Sequence, residues 1–159
     1  MKFTINQLQK ELATYPPTEL LDICMKLTKF KKENKDYLIY LLFGSANEEQ
    51  YVKEAKTHLD DVFYTVSRKT TFTTKKGLQK VVRHLNKLIK NSKSKSTEIE
   101  LRSYFCQLIK KARIDLDASK IISNLYYREI DKIKIAYGKL HEDLQYDHKA
   151  DLEKLGIEL

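Results

Sequence analysis

Lys75-Lys76-Gly77-Leu78-Gln79-Lys80-Val81-Val82-Arg83-His84-Leu85-Asn86-Lys87-Leu88-Ile89-Lys90-Asn91 carries two patterns at once. At about 100° per residue, Leu78, Val81, Val82, Leu85, Leu88 and Ile89 gather on one side of a helix. Lys76, Lys80, Arg83, Lys87 and Lys90 fall within an arc of roughly 80° on the opposite side. The segment 75–91 therefore reads as an amphipathic helix with one face to bury and one uniformly cationic face. Like charges four residues apart repel by a few tenths of a kcal/mol per pair in an isolated helix. Such a row is unfavourable unless anions or neighbouring acids offset it.

The surrounding charge makes the row conspicuous. Residues 68–95 hold ten Lys or Arg and no acid, whereas residues 1–67 carry nine bases against ten acids and residues 96–159 eleven against twelve. The whole net charge of +8 thus comes from one stretch. Arg68, Lys69, Lys75, Lys93 and Lys95 extend the patch beyond Lys76, Lys80, Arg83, Lys87 and Lys90 through both flanking loops. Concentrated charge of this kind suits an anionic partner. The abundance of Lys over Arg, with frequent Ile, Asn and Tyr, is what an AT-rich genome produces. That bias explains why the bases are Lys, but not why acids vanish over this window.

Working outward, four Gly and two Pro in 159 residues leave little turn chemistry for a β fold. The expectation is a single all-α domain over 1–159, with six or seven helices arranged as a bundle or as a short α-solenoid-like stack of helical hairpins. Thr4 with Gln7 forms a capping box ahead of Leu8 and Leu12, and Tyr15-Pro16-Pro17 ends that helix. Thr18 caps a second helix whose Leu20, Ile23, Cys24, Leu27 and Phe30 line one face and are expected to be buried. After the polar break 31–36, the apolar run 37–43 reads as a short central helix stopped by Gly44.

Ser45 with Glu48 opens a fourth helix through Tyr51, Val52, Ala55, Leu59, Val62, Phe63 and Val66. The threonines of 70–74 cap the fifth helix, and 91–96 reads as a mobile polar loop exposed to proteolysis. Thr97 with Glu100 opens a sixth. Asp117 caps a long last helix, where Ile122, Tyr126, Ile130, Ile133, Tyr137, Leu140 and Leu144 repeat in a heptad-like rhythm across Gly138. That seam packs on the other helices of a monomer or, alternatively, forms a homodimer. The acid-rich tail, 141–159, is expected to finish as a short or frayed helix, with 145–159 the part open to fraying. The second and fifth helices align in register, as any two amphipathic helices do, so no duplication is inferred.

Motifs of catalysis are absent. There is no GxGxxG, Walker or GxSxG sequence. His58 lies on one helix face with Asp61, and His141, Asp147 and His148 fall in the tail, but no Glu-x-x-His pair of a helical di-metal site occurs. No catalytic residue, metal site or cofactor is assigned. Cys24 and Cys106 sit in apolar stretches without CxxC or Cys/His spacing and read as small core hydrophobes, with a disulfide between them left open. The N-terminus lacks the apolar core of a signal peptide, and the longest apolar run, 37–43, is too short to span a bilayer, which points to the cytoplasm.

Three readings compete for the cationic face. It is a solvated surface neutralised by acids elsewhere in the fold, such as the tail; or a phosphate-contacting nucleic-acid surface, with Phe72 and Tyr127 as the available aromatics; or a dock for an acidic protein. A membrane surface fits less well, because the apolar face is committed to the core and lacks Trp. The sequence favours a non-enzymatic helical interaction or scaffold module that presents this face to an acidic partner. Sequence-nonspecific nucleic-acid binding through 68–95 is the alternative.

Overall fold

A computed structural model describes residues 2–158. Among them there are eight α-helices and no strand, one or two helices more than the sequence suggests. The chain divides into two compact units, one through Phe43 and the other from Gly44.

The first unit holds α1 (Ile5–Leu12), α2 (Pro17–Phe30) and α3 (Lys32–Ile39) and runs into a π-helical turn, Tyr40–Gly44. The capping box is present: Thr4 Oγ1 accepts the Gln7 amide at 3.3 Å, and Gln7 Oε1 accepts the Thr4 amide at 2.9 Å. Thr18 does not cap α2. Pro17 takes its first position, where a missing N–H costs nothing and φ is already helical. The expected break at 31–36 shrinks to one extended residue, Lys31, because Glu33 suits the first turn of α3. Asn34 Nδ2 then ties α3 to the Leu27 carbonyl of α2 at 2.7 Å. Cys24, Leu27 and Phe30 are exposed, contrary to the expected burial of that face. Three short helices in about 40 residues cannot close around them.

The second unit is a bundle of α4 (Glu48–Tyr64), α5 (Thr71–Ser92), α6 (Lys95–Lys111), α7 (Lys120–Tyr137) and α8 (Glu142–Lys154). Its centre is α6, which packs against α4, α5, α7 and α8 and buries Ile99, Leu101, Phe105, Cys106 and Ile109. In a solenoid each hairpin would meet only its neighbours; here one helix meets all the others. Leu59 from α4, Leu78, Val81 and Leu85 from α5, and Ile122 and Ile133 from α7 complete the core. The apolar stripe of α5 thus goes where its spacing sends it.

Several boundaries move. Asn47, not Ser45, caps α4 by accepting the Gln50 amide at 3.0 Å. The loop 91–96 is nearly gone: α5 continues to Ser92, Lys93 turns the chain in the left-handed region (φ 57°), and Ser94 caps α6. Glu48 locks this turn by accepting hydrogen bonds from Ser92 and Thr97. Ser119 rather than Asp117 caps α7, because the helix begins only at Lys120 and the Ser119 Oγ accepts the Ile121 amide at 3.2 Å. Gly138 lies just past the end of α7, not in its middle, so the long seam is cut short. Its buried positions are Ile122, Tyr126, Glu129, Ile133 and Ala136, whereas Ile130 and Tyr137 are half-buried. Of the two expectations for the tail, the short helix is the one found: α8 forms and docks, with Leu152, Leu155 and Ile157 buried and Lys110 donating to the Leu155 carbonyl.

Candidate anionic-partner interface

On α5 the structure separates the two faces as the period requires. Leu78, Val81, Leu85 and Ile89 are buried, and Lys76, Lys80, Arg83, Lys87 and Lys90 are exposed. The 14 steps from Lys76 to Lys90 span about 21 Å of helix. None of the described ion pairs involves Lys76, Lys80, Arg83 or Lys90. Two acids of the tail are occupied elsewhere: Asp151 pairs with Lys154 at 2.9 Å and Glu153 with Lys149 at 4.0 Å. Self-neutralisation by the tail therefore has no counterpart among the described contacts.

Phe72 adds an aromatic to this face. It is 56% exposed, and Lys75 and Lys76 stand over its ring at 5.1 and 4.5 Å from the centroid. Four residues separate it from Lys76, so the two lie about 40° apart on the helix. Tyr127, equally exposed, sits on α7 edge-on to Tyr126, with ring centroids 5.4 Å apart.

The remaining candidates fall in three places. Lys93 is exposed at the turn between α5 and α6. Lys95 belongs to α6 and is held by Glu98 at 2.7 Å, so it is not part of the open row. Arg68 and Lys69 lie before α5, where Arg68 Nη1 donates to the Ala112 carbonyl at 3.1 Å. That bond draws in Arg113, a residue the sequence offers no reason to group with Arg68.

Two further clusters escaped sequence reading. Arg102 and Glu129 are buried and paired between α6 and α7. Arg102 also donates to Glu98 at 2.9 and 3.0 Å and to Asn86 at 3.2 Å, and Lys132 reaches Glu129 at 2.7 Å. Burial pushes the Glu98 carboxyl up, but hydrogen bonds and charge from Lys95 and Arg102 outweigh it and hold it below the usual carboxylate range. The second cluster lines a cleft of about 350 Å³ that includes Lys56, Ser96, Ser103, Tyr104 and His148. Ser96 Oγ and His148 Nε2 lie 2.6 Å apart. Among the described hydrogen bonds no carboxylate orients that imidazole, so the pair lacks the third group of a nucleophilic relay. Tyr104 donates to Asp60, and its hydroxyl is pushed up to about 12 by burial and then by that carboxylate.

His58 pairs with His84 rather than with Asp61, Nε2 to Nδ1 at 2.9 Å, and His141 caps α8. No group of three or more His, Cys, Asp or Glu among the described residues is placed to hold a metal ion. No helix among them is long and apolar enough to cross a membrane. Comparison with known proteins finds no family model, no curated protein and no solved structure that matches this chain.

Proposed function

We propose that this chain is a non-enzymatic helical binding module whose cationic α5 face docks an acidic partner protein. The reading is carried by one observation: Lys76, Lys80, Arg83 and Lys90 stand exposed along one face of a single helix, outside every described ion pair. Repulsion along the row is relieved when an anionic segment lies across it. The buried stripe behind it, Leu78 to Ile89, keeps the row straight.

A second reading, sequence-nonspecific binding of nucleic acid, is favoured by Phe72. An exposed ring beside a cationic row suits a single strand, because a base can stack while phosphates follow the lysines. The row spans about 21 Å, long enough to run beside several consecutive phosphates of a strand.

Fluorescence anisotropy separates the two. A labelled poly-glutamate peptide, a single-stranded oligonucleotide and a duplex are titrated at low and physiological salt against the wild type, the triple variant Lys80→Glu, Arg83→Glu, Lys87→Glu, and Phe72→Ala. Peptide binding abolished by the triple variant and indifferent to Phe72→Ala supports the first reading. Preference for the single strand, weakened by Phe72→Ala, supports the second. Absence of any binding at low salt removes both.

A further inference from the structure

We propose that a cavity of about 340 Å³ at the junction of the α4–α5 and α6–α7 connections is a binding site for a small phosphomonoester. Three cationic side chains, Arg68, Lys69 and Arg113, line it, and Asp115 is the one acid on its wall. Three cations less one carboxylate leave +2, which matches a phosphate monoester in its dianionic form. Asp115 is partly satisfied, since its Oδ1 accepts the Asp117 amide at 2.9 Å.

The cations are assembled by the tertiary fold. Arg68 and Arg113 are 45 positions apart in sequence, yet the bond from Arg68 Nη1 to the Ala112 carbonyl fixes the guanidinium beside Arg113. Arg68 then retains four N–H donors, and a guanidinium presents them in a planar fork that suits phosphate oxygens. Arg113 and Lys69 are exposed and engage no described partner. Ile114, Ala118 and Ile122 supply an apolar side to the same cavity. Free phosphate has no use for that side, whereas the carbon skeleton of a monoester can rest on it. The volume lies within the range of small-molecule sites.

This site is separate from the α5 row, although Arg68 and Lys69 flank both. Arg113 offers a clean test. The Arg113 amide bonds to the Lys110 carbonyl at 3.0 Å and the Ile114 amide to the Ile109 carbonyl at 3.2 Å, with Arg113 at φ 51°. Helices commonly close this way on glycine. Arg113→Gly therefore removes the cation while relaxing the backbone, so lost binding cannot be ascribed to lost fold.

The experiment is an amide chemical-shift titration of the full chain with inorganic phosphate, a nucleoside 5′-monophosphate and the corresponding nucleoside. It is run on the wild type, Arg113→Gly, and the variant Lys80→Glu, Arg83→Glu, Lys87→Glu. The expected result is saturable shifts from the monophosphate at residues 68–71 and 113–118. Binding weakens about tenfold in Arg113→Gly, the loss of one charge-assisted contact, and is retained in the triple variant. Phosphate binds more weakly and the nucleoside does not bind. Absence of saturable shifts there, or shifts unchanged by Arg113→Gly, overturns the site. Equal affinity for inorganic phosphate and the monophosphate overturns its assignment to a monoester. Because the triple variant keeps this site while removing the α5 row, failure of one proposal is distinguishable from failure of the other.

Discussion

The guanidinium of Arg102 closes on the carboxylate of Glu129 across the contact between α6 and α7, and the two residues are only 5% and 2% exposed. Taking two charges out of water is unfavourable, and this site offsets the cost with further partners. Glu98 and Asn86 serve the guanidinium, and Lys132 serves the carboxylate. Removing one member strands the other. Arg102→Met is expected to destabilise the second unit by about 3–5 kcal/mol. The double replacement Arg102→Met, Glu129→Leu should recover most of that loss, because an apolar pair has no charge to desolvate. Urea unfolding of the wild type, Arg102→Met, Glu129→Leu and the double variant checks this; a single-variant loss below about 1 kcal/mol would contradict an uncompensated buried charge.

Acid should act through Glu98. Its carboxyl is held below the usual range by Lys95 and Arg102 despite its burial. The unfolded chain binds that proton more readily than the folded one, so the contribution is present above the unfolded carboxylate pKa. It is lost as pH falls through the lower, folded value. Stability measured in urea from neutral pH to about pH 3 should decline, and Glu98→Gln should flatten part of that decline. An equally steep decline in Glu98→Gln would place the acid sensitivity in other carboxylates.

What sequence could reveal here divides by range of interaction. The faces of α5 were legible because both its apolar and its cationic residues obey one helical period, and the Thr4–Gln7 cap because its partners are three residues apart. The turn at Lys93 was not: the Thr97–Glu100 spacing points to a later start, whereas Ser94 caps α6 and the Thr97 hydroxyl is engaged by Glu48, a residue 49 positions away. Leu152, Leu155 and Ile157 looked like isolated apolar residues in an acidic tail until α6 gave them a surface. Arg102 and Glu129 occupy core positions that an apolar pattern skips, and the grouping of Arg113 with Arg68 exists only in three dimensions.

The two thiols should differ in reactivity. Cys24 is exposed on α2, and Cys106 is fully buried on α6. Burial, followed by the charge of Glu129, pushes the Cys106 thiol up to about 12, so its nucleophilic thiolate is scarce at neutral pH. A disulfide-exchange reagent should titrate one thiol in the native protein, abolished by Cys24→Ser, and two in denaturant. Rapid native reaction of the Cys24→Ser protein would show that α6 opens readily.

Two glycines should respond to alanine in opposite directions. At Gly77 an added Cβ would lie 2.7 Å from Val66 Cγ1 and 3.2 Å from Val66 Cα, where the segment just after α4 meets the first turns of α5. Backbone on one side and core on the other leave little room to yield. Overpacking of this kind costs about 1–3 kcal/mol and outweighs the gain in helix propensity of about 1 kcal/mol. Gly77→Ala should therefore be destabilising by about 1 kcal/mol, and less so when Val66→Ala removes the facing methyls. At Gly138 the backbone is already helical (φ −64°), and a Cβ would meet only the Lys134 and Ile135 carbonyl oxygens, at 3.6 and 4.0 Å. There the smaller entropy of the unfolded chain dominates, and Gly138→Ala should stabilise by about 0.4–1 kcal/mol. Thermal unfolding of Gly77→Ala, Val66→Ala, their combination and Gly138→Ala decides the matter. If Gly77→Ala raises the melting temperature, the close approach of the α4–α5 connection at Val66 is not what keeps this position free of a side chain.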